Sequence, residues 1–249
     1  MVSTAFMIDQ KELEALNAAL SEAEPREILN KLLDRVPNTA ISFSGAEDVL
    51  LIELTKKRTN PPSIFTLDTG RLHSETYRYI ETVRDHYNRR IEALVPDSLE
   101  VNNLINIKGL YSFYKDGHEE CCGIRKVRPL RKKLAGLDAW ITGQRRDQSP
   151  ARVAVPIVEI DKTFSTQEHQ VIKINPLANW TSAQVWDYIR MFDVPYNELH
   201  DRGYVSIGCE PCTKAIGPNQ HEREGRWWWE EATIKECGLH RPNTEENPE

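Results

Sequence analysis

The sequence lacks the features of membrane and secreted proteins. No apolar run approaches the roughly 18 residues that a membrane span needs, and the N-terminus has no basic region followed by an apolar core, as a signal peptide would. The net charge of −6 gives no positive surplus, which argues against non-specific binding of nucleic acid. We therefore expect a cytoplasmic protein that uses neither a membrane nor nucleic acid as its partner.

Cysteine is scarce, with five residues in 249, and its distribution is informative. In a reducing compartment these thiols favour metal or catalytic roles over disulfides. Cys121 and Cys122 are adjacent, Cys209 and Cys212 form a Cys-x-x-Cys pair, and Cys237 stands alone in "KECGLH". Four paired thiolates suit zinc or an iron–sulfur cluster. Adjacent cysteines on a helix diverge by about 100°, which favours a cluster, whereas a redox Cys-x-x-Cys would leave the vicinal pair unexplained.

Strand and helix patterns alternate through the middle of the chain, and no internal repeat interrupts them. Strands are predicted at Thr39 to Phe43, in "PPSIFTL" up to Leu67, in "IEALVP", in "DAWITG" and in the extended "VAVPIVEID". Helices are predicted in "HSETYRYIETVRDHYNRR", in "EECCGIRKVRPLRKKLAG" with a bend near Pro129, and in "TSAQVWDYIRMFD" with Thr181 as N-cap. This alternation predicts an α/β fold, with a mostly parallel twisted sheet and helices on both faces.

The chain divides into three predicted segments. Residues 1–38 form an N-terminal helical segment, and residues 39–205 form the α/β nucleotide-binding domain with the first cysteine pair. Residues 206–249 are rich in Gly, Cys and Trp. We interpret them as a site-building tail that packs on the same domain and carries the second pair.

Two patterns indicate an anion site. In "ISFSGAEDVLL" a strand leads through Ser42, Ser44 and Gly45 into a helix, and the amides of such a turn bind phosphate-like groups. A plain N-cap at Ser44 explains the motif equally well. The stretch Arg125 to Lys133 has six basic residues in nine; taken alone, it is best explained as a solvated helix face.

Taken together, the motifs "ISFSGAEDVLL", "LDTGRLHSETYRYI", "DGHEECCGIRKVRPL", "ITGQRRDQSP", "YVSIGCEPCT", "HEREGRWWWEE" and "KECGLH" resemble the bacterial assimilatory adenosine 5′-phosphosulfate (APS) reductases of the PAPS/APS reductase family. The resemblance extends from about Ile41 to His240. It implies an adenine nucleotide alpha hydrolase-like fold and a 4Fe–4S cluster on Cys121, Cys122, Cys209 and Cys212.

The resemblance also implies roles for individual residues. Cys237 would be the nucleophile, and Lys126 would lie between the cluster and the substrate. The phosphosulfate would be surrounded by Arg152, Arg223, Arg226 and His240. The nucleotide would be held by Ser42, Ser44 and Gly45, and by Leu67, Asp68, Thr69 and Gly70.

The implied reaction is the reduction of APS to sulfite and AMP through a cysteine S-sulfonate, in sulfate assimilation and cysteine biosynthesis. Thioredoxin or a glutaredoxin-like dithiol protein would be the electron donor, and a homo-oligomer is left open. A reductase for 3′-phosphoadenosine 5′-phosphosulfate (PAPS) is the first alternative, although in the family the two cysteine pairs accompany the APS branch. An ATP pyrophosphatase and a non-enzymatic iron–sulfur redox sensor are the others.

Overall fold

The computed structural model describes residues 7–230 and residue 239 of the chain. Its centre is one six-stranded sheet, so the predicted α/β fold with a mostly parallel sheet is confirmed. The strand order is β3-β2-β1-β4-β6-β5, and only β5 runs antiparallel to its neighbour. The strands are β1 (Thr39–Ser42), β2 (Ser63–Leu67), β3 (Ile91–Leu94), β4 (Ala139–Ile141), β5 (Val158–Ile160) and β6 (Ile172–Ile174).

Helices precede the first strand, follow the last one and occupy several of the connections between strands. They are α1 (Gln10–Leu20), α2 (Pro25–Leu33), α3 (Ala46–Thr55), α4 (Ser74–Tyr87), α5 (Ser98–Lys108), α6 (Phe113–Asp116), α7 (Glu119–Cys122), α8 (Arg128–Leu134) and α9 (Ser182–Met191). Thr181 caps α9 as predicted, because its side chain accepts a hydrogen bond from the Gln184 amide. No helix within residues 7–230 has the length and apolar character that a membrane crossing requires.

Successive strand residues pack into two cores, one on each face of the sheet. In β1, Ile41 belongs to the larger core and Ala40 to the smaller one. In β4, Ile141 and Trp140 divide in the same way. A side-chain period of two with both faces buried is typical of a parallel sheet covered by helices. It explains why these strands have few polar residues.

A π-helical turn, Gly123–Val127, lies between α7 and α8 and ends two residues before Pro129, near which the sequence predicted a bend. Here the Arg128 amide donates to the Gly123 carbonyl, five residues back. Pro129 has no N–H, so it cannot continue the regular pattern of bonds to the residue four positions earlier. The turn follows the vicinal cysteines directly.

Beyond Pro195 the described chain has only short 3₁₀ turns and two isolated β-bridges. These bridges pair Leu72 with Cys209 and Thr213 with Arg226. They attach this segment to the turn after β2 and to itself. The division into three segments stays a prediction.

Candidate active site: a cleft beside a four-cysteine cavity

A large cleft lies at the carboxyl ends of β2, β1 and β4. It encloses about 1320 Å³ of empty space, part of it open to solvent. The chain winds from β1 to β2 on one side and reaches β4 on the other, so the cleft lies where the winding reverses, the usual ligand position in an open α/β sheet. Residues from positions 205–209 and 222–226, and Leu239, complete its wall.

Asp48 organises the turn between β1 and α3. Its Oδ2 accepts hydrogen bonds from the Ser44 amide (2.8 Å), the Ser44 hydroxyl (2.8 Å) and the Gly45 amide (3.1 Å). Its Oδ1 accepts from the Gly143 amide at 3.0 Å. The donors that the sequence assigned to an anion are therefore engaged by a buried carboxylate. Burial, with the nearby charge of Glu47, raises the pKa of Asp48 to about 6.

Gly143 allows the loop after β4 to pack on this turn. A Cβ at this position would stand 2.4 Å from Cβ of Glu47 and 2.7 Å from Oδ1 of Asp48. Real Cβ atoms do not approach neighbours this closely, so the packing requires glycine. The contact brings the ends of β1 and β4 into one wall of the cleft.

Arg145 joins three carboxylates, two of which lie far from it in the sequence. Its Nη2 donates to Glu47 at 2.9 Å and to both oxygens of Glu222 at 3.2 and 3.0 Å, and its Nη1 donates to Asp147. Only 1% of its side chain is exposed. Burial raises the pKa of Glu222 to about 7, with the neighbouring Glu47 adding to the rise and Arg145 opposing it.

Three cations of the cleft, Lys126, Arg223 and Arg226, lie around the ring of Trp227. Its fully buried ring lies 4.6 Å from the Arg226 guanidinium carbon, 5.9 Å from that of Arg223 and 6.0 Å from the Lys126 ammonium. Cations within about 6 Å of an indole face are stabilised by its quadrupole. Trp227 also has a φ of 40°, and a bulky residue in that region often marks a functional site. Its ring stacks at 4.2 Å on His118.

Gly208 lets Arg226 reach this position. A Cβ there would stand 2.4 Å from the Arg226 guanidinium. Arg226 is 6% exposed, and its Nε has no hydrogen-bond partner among the described residues. A buried cation with an unsatisfied donor is prepared for an anionic ligand.

A second cavity adjoins the cleft and encloses about 290 Å³ of empty space, part of it open to solvent. All four paired cysteines line it, and Lys126 and Cys209 line both spaces. No three of the cysteine sulfur atoms lie within 4.8 Å of one another. Thiolates around one tetrahedral zinc lie about 3.8 Å apart, given a Zn–S bond of about 2.3 Å. The four sulfur atoms are therefore spread more widely than one zinc ion requires, which fits a larger thiolate-bound group.

Several hydrogen-bond donors lie near the four cysteines. The Thr69 hydroxyl lies 3.2 Å from the Cys209 sulfur. Within the described residues, Nη1 of Arg71 and Nε1 of Trp227 are buried donors without a partner. Inorganic sulfide and thiolate sulfur are acceptors that such donors would satisfy, so the donor set fits an iron–sulfur group.

The thiols differ in acidity. Burial alone would raise the pKa of Cys209, but Lys126, the Thr69 hydroxyl and Arg226 outweigh it and lower that pKa. Burial, with the charge of Cys209, raises the pKa of Cys212 to about 12. These surroundings therefore favour the thiolate at Cys209 and oppose it at Cys212.

Most residues predicted from the sequence meet in the cleft. Its lining includes Ser42, Ser44, Gly45, Leu67, Thr69, Lys126, Arg152, Arg223 and Arg226. Asp68 and Gly70 are not part of that lining: the Asp68 carboxylate accepts from the Gly70 amide at 2.9 Å and from the Tyr77 hydroxyl at 2.7 Å. Cys237 and His240 lie outside the described residues. Leu239, between them, lines the cleft.

Sequence reasoning missed the carboxylates Glu47, Asp48 and Glu222 and the residues Arg145 and Gln144. Glu47 and Asp48 stand in "SGAED", beside the serines that were noted. Two acidic residues directly after a turn interpreted as an anion site were the available signal, because they oppose that interpretation.

Comparison with known proteins gives a consistent result. A family model described as "Phosphoadenosine phosphosulfate reductase domain" matches residues 38–215. The chain is 57% identical over 234 residues to the "Adenosine 5′-phosphosulfate reductase" of Pseudomonas aeruginosa, covering 93% of this chain and 88% of that protein. It is 54% identical to "5′-adenylylsulfate reductase 1, chloroplastic" of Arabidopsis thaliana, covering 97% of this chain and 53% of that protein.

Solved structures agree on the architecture. The phosphoadenylyl-sulfate (PAPS) reductase of Candida auris, crystallised as a phosphate complex, superposes with a TM-score of 0.71 at 28% identity, covering 85% of this chain and all of that one (100%). An FMN adenylyltransferase of Candida glabrata superposes with a TM-score of 0.54 at 14% identity, covering 93% of this chain and 81% of that one. The second likeness concerns the fold alone.

Proposed function

The chain belongs to the phosphoadenosine phosphosulfate reductase domain family, and from this premise we propose that it reduces APS to sulfite and AMP. The observation that supports the proposal most strongly is the cationic part of the cleft, which adjoins a cavity lined by four cysteines. The Pseudomonas aeruginosa relative, 57% identical, bears the name of this activity.

The cations around Trp227 would hold the phosphosulfate. APS is a mixed anhydride with negative charge on both its phosphate and its sulfate, so a thiolate that attacks its sulfur approaches an anion. Lys126, Arg223 and Arg226, within about 6 Å of one indole ring, would reduce that repulsion. They would also stabilise the charge that develops on the leaving phosphate.

Cys237 is the proposed nucleophile. Its thiolate forms a bond to the sulfur of APS while the bond from that sulfur to the bridging oxygen breaks, and AMP leaves with the electron pair. The product on the protein is a Cys237 S-sulfonate. Leu239, two residues along the chain, lines the cleft, which is consistent with Cys237 reaching the same space.

A dithiol protein such as thioredoxin or a glutaredoxin-like protein completes the reaction. One of its thiolates attacks the Cys237 sulfur, and sulfite leaves with the electron pair of the broken S–S bond. The second thiol resolves the mixed disulfide. The two electrons therefore come from the dithiol, which ends as a disulfide, and Cys237 returns to a thiol.

Cys121, Cys122, Cys209 and Cys212 would hold a 4Fe–4S cluster. When bound, the cluster would supply sulfur acceptors and local negative charge beside Lys126. Thr69, Arg71 and Trp227 would hydrogen-bond to its sulfur atoms. Lys126, which lines both cavities, would orient the phosphosulfate.

The test separates the two steps. Anaerobically purified protein given APS without reductant should release about one AMP per active site and gain the mass of one sulfonate on the peptide that carries Cys237. Reduced thioredoxin should then release sulfite. Cys237→Ser should still bind AMP but form no adduct. Sulfite formed at the full rate by Cys237→Ser would refute the covalent mechanism.

A further inference from the structure

Three large aromatic side chains lie exposed near the second cysteine pair. Tyr111 is 60% exposed, Trp228 43% and Tyr114 38%. Tyr111 stacks on Tyr114 with ring centroids 6.0 Å apart, and the Tyr114 ring lies 6.0 Å from that of Trp228. The three rings therefore form one surface, which we call the aromatic patch. The Tyr114 hydroxyl donates to the carbonyl of Pro211 at 2.7 Å, so the patch is fixed to the Cys-x-x-Cys segment.

The aromatic patch has the composition of a protein interface. The Lys214 ammonium lies 3.1 Å from the ring centroid of Trp228, and the Arg71 guanidinium carbon lies 5.8 Å from that of Tyr111. Tryptophan, tyrosine and arginine are enriched among the residues that contribute most to binding at protein interfaces. Contiguous apolar surface that stays exposed marks an interaction site. These features indicate that a protein partner covers the patch.

The aromatic patch and Leu239 adjoin the same small core. This core consists of Phe113, Trp227 and three of the paired cysteines, and both Trp229 and Leu239 pack against it. Trp229 in turn contacts Tyr114, with ring centroids 4.5 Å apart, and Phe113 contacts Tyr114 at 4.6 Å. The patch therefore lies close to the place where the chain returns to the cleft at Leu239.

Chain length limits how far Cys237 can lie from the aromatic patch. Glu230 is two residues after Trp228 and seven residues before Cys237. Seven residues span at most about 25 Å, which is therefore the greatest distance between Glu230 and Cys237. A protein that covers about 800 Å² of a partner's surface extends over about 30 Å. A partner that places its thiol at Cys237 therefore has the reach to cover the patch.

We propose that the aromatic patch is the docking surface for the dithiol protein that releases sulfite. This inference rests on the proposed function, in which a thiolate of that protein attacks the Cys237 sulfur, sulfite leaves with the electron pair, and the second thiol resolves the mixed disulfide. The partner needs an apolar surface beside its thiols to bury Tyr111 and Trp228, whereas a small dithiol needs none. A contact between two copies of the chain would not require the patch to lie near the segment that carries Cys237.

The experiment measures the second chemical step by itself. The full chain, purified anaerobically, is given APS without reductant so that the S-sulfonate forms, and sulfite release is then followed with reduced thioredoxin or with dithiothreitol. The variants are Tyr111→Ala and Trp228→Ala; AMP release in the first step and iron content verify that the site is intact. Phe192→Ala is the matched control, because Phe192 is 52% exposed and contacts Tyr188, which packs against the larger core.

We expect each patch variant to lower the second-order rate constant for sulfite release by thioredoxin at least about fivefold, and to leave the rate with dithiothreitol within about twofold of the wild type. Phe192→Ala should match the wild type with both donors. Unchanged thioredoxin rates in both patch variants would overturn the inference and leave the proposed function intact. An equal loss with both donors would also overturn it, as would dissociation of a wild-type oligomer with the thioredoxin rate retained. A chain that forms no S-sulfonate would overturn the proposed function, and the inference with it.

Discussion

Glu222 holds its proton more strongly than a surface glutamate does. Burial raises its pKa from 4.5 to about 7, and the neighbouring Glu47 adds to the rise against the opposing effect of Arg145. The pKa of Glu47 itself is lowered: burial would raise it, but the charge of Arg145 outweighs that effect. Near neutral pH the pair of carboxylates therefore binds one proton, which Glu222 holds while Glu47 stays ionised.

This proton makes stability depend on pH. Because the pKa of Glu222 is higher in the folded chain than in the unfolded one, its stabilising contribution is complete below about pH 4.5 and is lost as pH rises through about 7. We expect a loss on the order of 1–3 kcal/mol in the free energy of unfolding. Glu222→Gln should lose less stability than the wild type between about pH 5 and about pH 8 in urea titrations.

Glu81→Gln is the matched control for this measurement, since the Glu81 carboxylate is exposed and pairs with Arg84 at 3.1 Å. Its stability should follow the wild-type curve at both pH values. An equal loss in Glu222→Gln and in the wild type would contradict the raised pKa.

At the scale of residues, the sequence predicts which side chains carry reactive or charged groups better than it predicts which side chains contact one another. The cysteine pairs and the basic residues were found because their types and spacing are unusual. The contacts of Arg145 were not, because Glu47 and Glu222 lie 98 and 77 positions away from it. Only the fold brings such partners together, and a lone charged residue gives no sign of its partner.

At the scale of elements, the π-helical turn is fixed to the end of β2. Arg125 in that turn is 5% exposed, and its Nη1 donates to the Thr69 carbonyl at 2.6 Å. Thr69 in turn contacts Cys209. One guanidinium therefore joins the helix with the vicinal cysteines to the turn that contacts the second pair.

Replacing Arg125 with methionine should weaken this connection. The Thr69 carbonyl would lose a charged donor in a buried place, at a cost of about 1.5–3 kcal/mol in the free energy of unfolding. Arg128→Met, in the next helix, should cost no more than about 1 kcal/mol, because Arg128 is 59% exposed in a surface pair with Glu100. Urea titrations of both variants compare them; equal costs would contradict the connection.

The sequence predicted most elements correctly where the pattern was long or clear. The strand at Thr39 and the helix that begins near Ser74 agree with the structure. The strand Ile172–Ile174 was not predicted, and the extended segment before it gave only the three-residue β5. Three-residue strands have too little alternation to be recognised, and the direction of an edge strand depends on its tertiary partner.

At the scale of the whole molecule, the four-cysteine cavity joins distant parts of the chain. Its cysteines come from α7 and from the segment at residues 209–212. A group bound by all four cysteines would cross-link these segments and stabilise the folded state, since it binds the unfolded chain less well.

Removal of iron should therefore lower the melting temperature. We expect about four iron atoms per chain in anaerobically purified protein, and a fall of at least about 5 °C after chelation, which corresponds to about 1–3 kcal/mol for a chain of this size. Cys209→Ser should lose iron, and Cys237→Ser should retain it. Stoichiometric zinc in active protein, or an unchanged melting temperature after iron removal, would contradict the cluster assignment.

Leu239 lines the cleft, so the docking of its side chain and the binding of a nucleotide in the cleft affect each other. Thermodynamic reciprocity requires that whatever Leu239 adds to the affinity for a nucleotide, the nucleotide adds to the docking of Leu239. If Leu239→Ala weakens AMP binding tenfold, then AMP strengthens the docking of that side chain by the same factor, about 1.4 kcal/mol. Under the proposed reaction, departure of AMP would weaken the docking of the Leu239 side chain by the same amount.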